Sequence, residues 1–289
     1  MQETFYRLSS PGLKGSMRLA VVADIHDHPY QAVLTSLDRQ HPDMILLPGD
    51  FISGHAPETD RLKMQESAAM PMITALASMA PTYISLGNHE WMLCREDIAM
   101  IEASGARVLD NTFTTINGLV LGGLTSGTVI RARKVRRSDT RRYIKHLPYR
   151  HVPFFEQFKR GSFEKEPYML PVTEWLTDYT NTPGYHLLLS HHPEYWSFSP
   201  VCLRDLPIEL IISGHAHGGQ IRYYSLLKQE WRGLFAPFQG LFPEYTSGKH
   251  TGRYGSMIIS RGLSNTAGMI PRLFNTRELL YITLEGSAG

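Results

Sequence analysis

The sequence predicts an α/β protein built on two β-sheets, and two observations carry this prediction. Over about the first hundred residues, short apolar runs alternate with segments of helical pattern in a strand-helix order repeated three times. Further apolar runs with short connections follow later in the chain, which indicates a second sheet packed on the first. We see no internal repeat or flexible linker, so we expect one domain over residues 1–289.

The first sheet is predicted from apolar runs and from the residues that end each element. Strands are expected within residues 18–24, 44–50 and 81–90, and helices within residues 30–40, 64–79 and 96–105. Pro71 must lie in the first turn of the second helix or break it, because proline lacks the backbone N–H. Gly105 is a suitable C-cap for the third helix. Strands that alternate with helices indicate a mainly parallel, buried sheet.

After Gly105 the pattern changes to that of a second sheet. Residues 108–125 alternate in polarity around Asn117-Gly118, which predicts a β-hairpin. Residues 125–175 are irregular, and we expect a flap or an insertion there. Later strands, all expected in the second sheet, are predicted within residues 186–193, 208–219, 220–224, 256–262 and 278–286.

Bulk properties favour a soluble cytoplasmic protein. The net charge of +2 gives no sign of a polyanion-binding chain. Cys94 and Cys202 lie in unrelated surroundings, so we expect no disulfide framework and a reducing compartment. The N-terminal segment lacks the pattern of a signal peptide, and no run approaches the roughly 18 apolar residues of a membrane span.

Five apolar runs share one layout, in which polar, ligand-type residues follow the strand. The segments are VVADIHD, ILLPGDF, YISLGNHE, LLLSHHP and LIISGHAHGG. The carboxyl ends of parallel strands meet along one edge of a sheet, where ligands bind. We therefore expect the Asp, Asn and His side chains of these segments to lie close together.

These side chains have the composition of a metal site. Asp and Asn offer oxygen and His offers nitrogen, while no thiolate is present, so Mn, Fe or Zn fits better than a structural Cys-type zinc. The donors exceed one tetrahedral set, which predicts two ions about 3.5–4 Å apart, bridged by a carboxylate. Such a pair activates a bridging hydroxide that attacks phosphorus, and a nearby metal-free His can protonate the leaving group.

The five blocks, in this order, resemble the calcineurin-like metallophosphoesterase superfamily. They are D-x-H from Asp24, GD from Gly49, GNHE from Gly87, SHHP from Ser190 and GHAH from Gly214. The longer GHAHGGQ is similar to a branch of bacterial phosphodiesterases that includes enzymes cleaving UDP-diacylglucosamine and others acting at the membrane. The resemblance implies a four-layer α/β/β/α sandwich of two mixed sheets flanked by helices. It also implies two divalent ions, for which we favour Mn.

The resemblance further implies a role for each residue of the blocks. The expected metal ligands are Asp24, His26, Asp50, Asn88, His191, His215 and His217. Asp24, His26 and His217 would hold the first ion, and Asp50 would bridge to the second. Asn88, His191 and His215 would complete the second site. His89 would act as the general acid, with Glu90 orienting or tuning it. The second block lacks the additional acid of many relatives, which is not a ligand.

Residues that contact the substrate are less sharply defined. His192 either points away from the site or toward the substrate. The basic residues 131–150, including Arg131 and Arg133, form either a solvated loop or a flap that grips an anionic substrate. His28 and His55 are expected in exposed loops, with a substrate contact as the alternative.

Two aromatic-rich segments, residues 151–163 and 231–245, leave a choice of roles. Either they pack into the core, or they form an apolar lid for an acyl or aromatic group or touch a membrane surface. The expected partner is a phosphate ester, with nucleotide or lipid linkage and peripheral membrane contact left open. A stable nucleic-acid partner is not expected, because aromatic residues are sparse within the basic stretch.

The sequence thus predicts a di-metal phosphohydrolase. It would cleave phosphodiester or pyrophosphate bonds with a metal-bridging hydroxide as nucleophile and His89 as general acid. A phosphomonoesterase or nucleotide phosphatase on the same site is the alternative. A non-catalytic scaffold is a third hypothesis, disfavoured because every ligand position is filled.

Overall fold

The computed structural model describes residues 1–55, 57, 59–127, 170–197, 201–264 and 271–287. Arg131, Arg133 and the aromatic residues 151–163 therefore lie outside the described residues. Most of the expected flap at residues 125–175 does so as well.

The first sheet has six strands and carries the first three ligand blocks at its edge. In spatial order they are β1 (Gln2–Lys14), β16 (Glu278–Ser287), β2 (Ser16–Val21), β3 (Met44–Leu47), β4 (Thr82–Ile84) and β5 (Arg107–Val108). Strands β2 to β5 run parallel to one another, as predicted. Strand β16 runs antiparallel to β2 and parallel to β1.

Four helices accompany the first sheet. They are α1 (Gln31–Gln40), α2 (Lys63–Glu66), α3 (Ala69–Met79) and α4 (Arg95–Ala103). The helical segment predicted within residues 64–79 is present as two helices, because the backbone at Ser67 is extended and separates α2 from α3. Pro71 lies in the first turn of α3, where the missing N–H leaves no hydrogen bond unmade. Gly105 follows α4 with a φ of 97°, which confirms the expected cap.

The second sheet is also mixed and six-stranded. In spatial order its strands are β14 (Gly248–Thr251), β15 (Ser256–Ile259), β9 (Leu210–Ser213), β8 (Tyr185–Ser190), β7 (Leu119–Leu124) and β6 (Thr112–Ile116). The four central strands are parallel and the two edge strands are antiparallel to their neighbours. Asn117 and Gly118 join β6 to β7 with positive φ values, which confirms the predicted hairpin.

Several strand assignments differ from the expectation. The last strand, β16, belongs to the first sheet and not to the second. The segment at residues 220–224 forms β10 (Arg222–Ser225), which pairs with β11 (Glu230–Gly233) in a separate hairpin, followed by a short pair of β12 (Phe235–Ala236) and β13 (Gly240–Leu241). Strands β11 to β14 were not predicted. Strand β1 was not expected, because its sequence alternates around Pro11 and Gly12 without an apolar run.

Three apolar layers hold four layers of structure together. Leu37, Ile45 and Ile73 represent the layer between the helices and the outer face of the first sheet. A second layer fills the space between the two sheets. A third covers the outer face of the second sheet with α5 (Leu176–Asn181) and short 3₁₀ turns. This confirms an α/β sandwich of two mixed sheets flanked by helices.

Within the described residues, no helix combines the length and the apolar character needed to cross a bilayer. That residues 1–289 form a single domain stays a prediction.

Candidate metal centre

The strand-end loops of both sheets bring the predicted ligands together. Donor atoms of three sets lie within 4.8 Å of one another: Asp24-His26-His217, Asp50-His191-His215 and His26-Asp50-His89. These sets contain six of the seven expected ligands. Asn88 is the seventh, and it is buried at the start of a 3₁₀ turn that follows β4.

Five of these ligands have a left-handed backbone. The φ values of Asp24, His26, Asp50, His215 and His217 lie between 45° and 67°. This region is sparsely populated by residues other than glycine, although Asp and His enter it more readily than most. Such strain persists only where the surroundings impose it, and it is commonest at functional sites.

Hydrogen bonds and two glycines hold the strained loops against one another. The N–H of Asp24 donates to the Gly49 carbonyl at 3.3 Å, and the N–H of His26 donates to the Asp50 carbonyl at 3.2 Å. A Cβ on Gly87 would lie 2.3 Å from Asp50 Oδ1, and one on Gly214 would lie 2.4 Å from Asp24 Oδ2. The glycines of GNHE and GHAH are therefore required by the close approach of the carboxylates.

Asp50 occupies the position expected of a bridging carboxylate. Its Oδ1 accepts the backbone N–H of His89 at 2.8 Å. Its Oδ2 lies 3.0 Å from His191 Nε2 and 3.7 Å from His26 Nε2. One oxygen thus faces an expected ligand of each ion.

Asp24 joins the two sheets on the other side of the site. Its Oδ1 accepts the backbone N–H of His215 at 2.9 Å and lies 3.7 Å from His217 Nε2. The same oxygen lies 4.0 Å from His26 Nε2. This arrangement suits the expected first ion.

The donor set fits two divalent cations. Among the described residues, buried polar atoms that make no hydrogen bond include Asp24 Oδ2, His26 Nε2, Asn88 Oδ1 and His215 Nε2. A buried polar atom without a partner is costly, and two bound cations would supply partners for these four atoms. The Nδ1 atom of His26 lies 3.2 Å from the Ile52 carbonyl and donates to it, which leaves the Nε2 lone pair for a metal.

The protonation states follow from burial and from the two carboxylates. Burial lowers the pKa of His26 and His215 well below its usual range, and it lowers the pKa of His217 to about 3. Burial also raises the pKa of Asp24 to about 7. For His191, burial acts downward, but the Asp50 carboxylate outweighs it and the pKa rises to about 9. In the metal-free protein, protons held by Asp24 and His191 therefore offset the negative charge of the carboxylates.

His89 is placed to donate a proton. Its Nδ1 lies 2.9 Å from the Ser53 carbonyl, to which it donates, while its Nε2 lies 3.8 Å from Asp50 Oδ2. The side chain is 28% exposed, in contrast to the fully buried ligands around it. With Nδ1 donating to the Ser53 carbonyl, the accessible Nε2 can carry a second proton, and this doubly protonated ring suits a general acid.

Glu90, which was expected to orient or tune His89, contacts the backbone of the second and third blocks. It is fully buried, and its carboxylate accepts four backbone N–H groups. Oε1 accepts those of Phe51 and Ile52 at 2.9 and 3.2 Å, and Oε2 accepts those of Asp50 and Gly87 at 2.8 and 2.7 Å. Glu90 is a positioning residue that joins the second and third blocks.

His192 is likewise placed beside the ligands and away from open space. It is 1% exposed, its Nε2 lies 2.9 Å from Ser126 Oγ, and its ring centroid lies 4.1 Å from that of His215. This burial favours the alternative in which His192 points away from the substrate, and the ring contact suits a role in positioning His215. His28 and His55 are exposed, as expected of loop histidines.

Two residues that support His217 were not predicted. Asn275 donates from Nδ2 to the carbonyls of His217 and Gln220 at 2.7 and 3.0 Å. The guanidinium of Arg272 donates to the Ser264 carbonyl at 2.6 Å and also reaches the His217 carbonyl at 3.5 Å. They lie just before β16 in a segment without a motif, so no sequence signal could have found them.

The fold and the donor set together define a metal-dependent hydrolase of phosphate esters. Residues 17–219 match the model of the calcineurin-like phosphoesterase family, and the chain belongs to that family. The family binds divalent metals in a binuclear site, in agreement with the His and Asp clusters described above.

The chain is similar to several known proteins. It is 25% identical over 256 residues to an uncharacterized metallophosphoesterase of Aquifex aeolicus, covering 87% of this chain and 76% of that one. It is 28% identical over 191 residues to phosphodiesterase YaeI of Escherichia coli, covering 63% of this chain and about half, 52%, of the relative. A dimetal phosphatase structure from Danio rerio aligns over 86% of this chain and 88% of its own, with 14% identity and a TM-score of 0.52, which supports the fold alone.

Proposed function

We propose that this chain hydrolyses phosphodiester or pyrophosphate bonds with two divalent ions, for which Mn is favoured over Fe and Zn. The observation that carries the proposal is the position of Asp50 Oδ2 between His191 and His26. Asp24, His26 and His217 would hold one ion, Asn88, His191 and His215 the other, and Asp50 both. Such ions polarise the phosphate and make water a nucleophile near neutral pH.

The protein groups around the site have separate tasks in this proposal. His89 would protonate the leaving oxygen from Nε2, while Nδ1 keeps its proton and donates a hydrogen bond to the Ser53 carbonyl. Glu90 would keep Asp50 in place through the backbone of its loop. His192 would fix the ring of His215.

The preference for diesters rests on the GHAHGGQ segment and on the similarity to a protein named a phosphodiesterase. We propose a nucleotide-linked or lipid-linked ester as substrate, a cytoplasmic location and no stable nucleic-acid partner. A phosphomonoesterase on the same site is the alternative, because the described contacts do not separate a phosphate with one ester group from one with two.

The test compares bis(4-nitrophenyl) phosphate with 4-nitrophenyl phosphate after removal of metal and reloading with Mn, Zn or Fe. We expect a higher kcat/KM for the diester and the highest activity with Mn. A preference for the monoester would support the alternative. Metal binding without hydrolysis of either compound, or of a panel that includes nucleotide-sugar lipids and cyclic nucleotides, would support the scaffold hypothesis.

A further inference from the structure

A concentrated apolar surface lies beside the metal centre. Of the 13 large hydrophobic side chains that are exposed among the described residues, eight come from residues 224–242 and 273–274. They are Tyr224, Leu226, Leu227, Trp231, Leu241, Phe242, Leu273 and Phe274. We call this set the apolar hairpin surface. Exposed apolar side chains gathered in one region mark a contact surface, whereas scattered ones need no explanation.

Both faces of the β10–β11 hairpin carry aromatic side chains. Tyr224 is paired with Trp231 across the hairpin, with ring centroids 5.9 Å apart, and Phe274 lies 6.2 Å from Trp231. Tyr223 points to the opposite face because side chains alternate along a strand, and there its ring lies 6.0 Å from that of Phe242.

The tip of the hairpin is apolar as well, and it is bordered by positive charge. Leu226 and Leu227 are 83% and 98% exposed and lie in the turn between the two strands. Lys228 follows them directly and is also exposed. Within residues 222–233, Arg232 pairs with Glu230 at 2.9 Å and Arg222 is buried, so the exposed net positive charge beside the tip comes from Lys228.

Apolar side chains on both faces and at the tip, next to a lysine, favour a lipid bilayer as the partner. A protein surface would cover one face of the hairpin, whereas the interfacial region of a bilayer surrounds both faces and the tip. Tyr and Trp are enriched at the headgroup level of membranes, and lysines near the surface attract anionic lipids. We propose that the apolar hairpin surface inserts into the interfacial region of an anionic lipid bilayer, with Leu226 and Leu227 deepest.

The base of the hairpin lies next to the metal centre. The N–H of Leu234, just after β11, donates to the carbonyl of Gly219 at 3.2 Å, and Gly219 is two residues from His217. A four-residue strand extends about 13 Å, so a docked hairpin keeps the metal centre near the headgroups. Docking itself does not require hydrolysis. The inference that a docked molecule acts on a lipid-borne phosphate ester rests on the proposed function.

Vesicle co-sedimentation tests the proposal with the whole chain. Vesicles of phosphatidylcholine alone are compared with vesicles that contain phosphatidylglycerol. The double variant L226S/L227S is compared with the matched control M79S/V172S, which changes two exposed apolar residues outside the surface. We expect binding to the anionic vesicles that weakens on the order of tenfold or more in L226S/L227S and stays unchanged in the control. Equal Tm values for all three proteins show that folding is intact.

Fluorescence locates the inserted part. Anionic vesicles should shift the tryptophan emission of the wild-type protein to shorter wavelength, and Trp231→Phe should remove most of that shift. No binding by the wild type, or equal binding by L226S/L227S, would overturn the proposal. Self-association in vesicle-free solution that L226S/L227S abolishes would also overturn it, because the surface would then join copies of this chain. Neither outcome bears on hydrolysis of soluble diesters, which is measured separately.

Discussion

The two sheets contribute different chemistry to the metal centre. The loops of the first sheet supply Asp24, Asp50 and Asn88 as oxygen donors, together with His26. The loops of the second sheet supply imidazoles alone, from His191, His215 and His217. One wall of the site is therefore anionic, while the other is kept mostly neutral by burial. The first sheet therefore carries the negative charge that would offset the metal ions, while both sheets carry side chains that could bind them.

The largest effect is expected for Asp50→Ala, because the Asp50 carboxylate faces histidines from both sheets. We expect loss of the second ion and a fall in kcat on the order of 10³-fold or more. Elemental analysis and hydrolysis of bis(4-nitrophenyl) phosphate measure the two effects. Asp205→Ala, at an exposed position, is the control. Two ions retained in Asp50→Ala would refute the bridge.

His89→Ala separates proton donation from metal binding. We expect kcat to fall about 10²–10⁴-fold while both ions stay bound, since general acid catalysis contributes that much. The deficit should shrink for esters with better leaving groups, which need less protonation. His55→Ala removes an exposed histidine from the loop that follows β3 and should leave kcat unchanged. Loss of metal in His89→Ala would contradict its assignment as the acid.

Asn275→Ala tests whether the contact to the His217 carbonyl positions that ligand, because the substitution leaves the His217 side chain in place. Groups that orient ligands typically contribute about 10–100-fold in metal affinity, and we expect a weakening in that range for one ion. Calorimetric titration with Mn gives the affinity of each site. Asn181→Ala, in the exposed part of α5, is the control. Unchanged affinity at both sites would show that the Asn275 contacts do not position His217.

The pH dependence of metal binding tests the protonation of one residue from each sheet. In the metal-free protein the pKa values of Asp24 and His191 are raised to about 7 and about 9. Ions bind the deprotonated groups, so affinity should rise as pH rises from about 6 to 9, by up to about tenfold per pH unit for each proton released. Titrations in two buffers of different ionisation enthalpy count the protons. Affinity that is flat over this range would contradict the assignment.

Most strands of the two main sheets could be predicted from the sequence, but the neighbours of the last strand could not. The run that forms β16 has the same local pattern as the strands of the second sheet. It joins the first sheet through a register, such as Leu280 opposite Val21, that no local signal encodes. Strand β1 was not predicted, because an edge strand needs no continuous apolar run.

The ligands were predictable because each block follows an apolar strand, which places it at the sheet edge. Burial was not. Glu90 and His192 lie within the motifs, but the motifs do not reveal that Glu90 contacts backbone N–H groups and that His192 contacts the ring of His215. Arg272 and Asn275 contact His217 from more than fifty residues away in the chain, so only tertiary structure reveals them.

The position of β16 has a consequence for the order of folding. The strand that leads to Asp24 pairs on one side with residues 278–287, more than 250 positions later. Contacts at such separation close slowly, because the loop-closure entropy is spent before the contact forms. The chain can form β2, β3 and β4 early, but it cannot complete the sheet around Asp24 until its last strand arrives. We therefore expect metal-binding competence to appear late in refolding, after most of the helical signal has recovered.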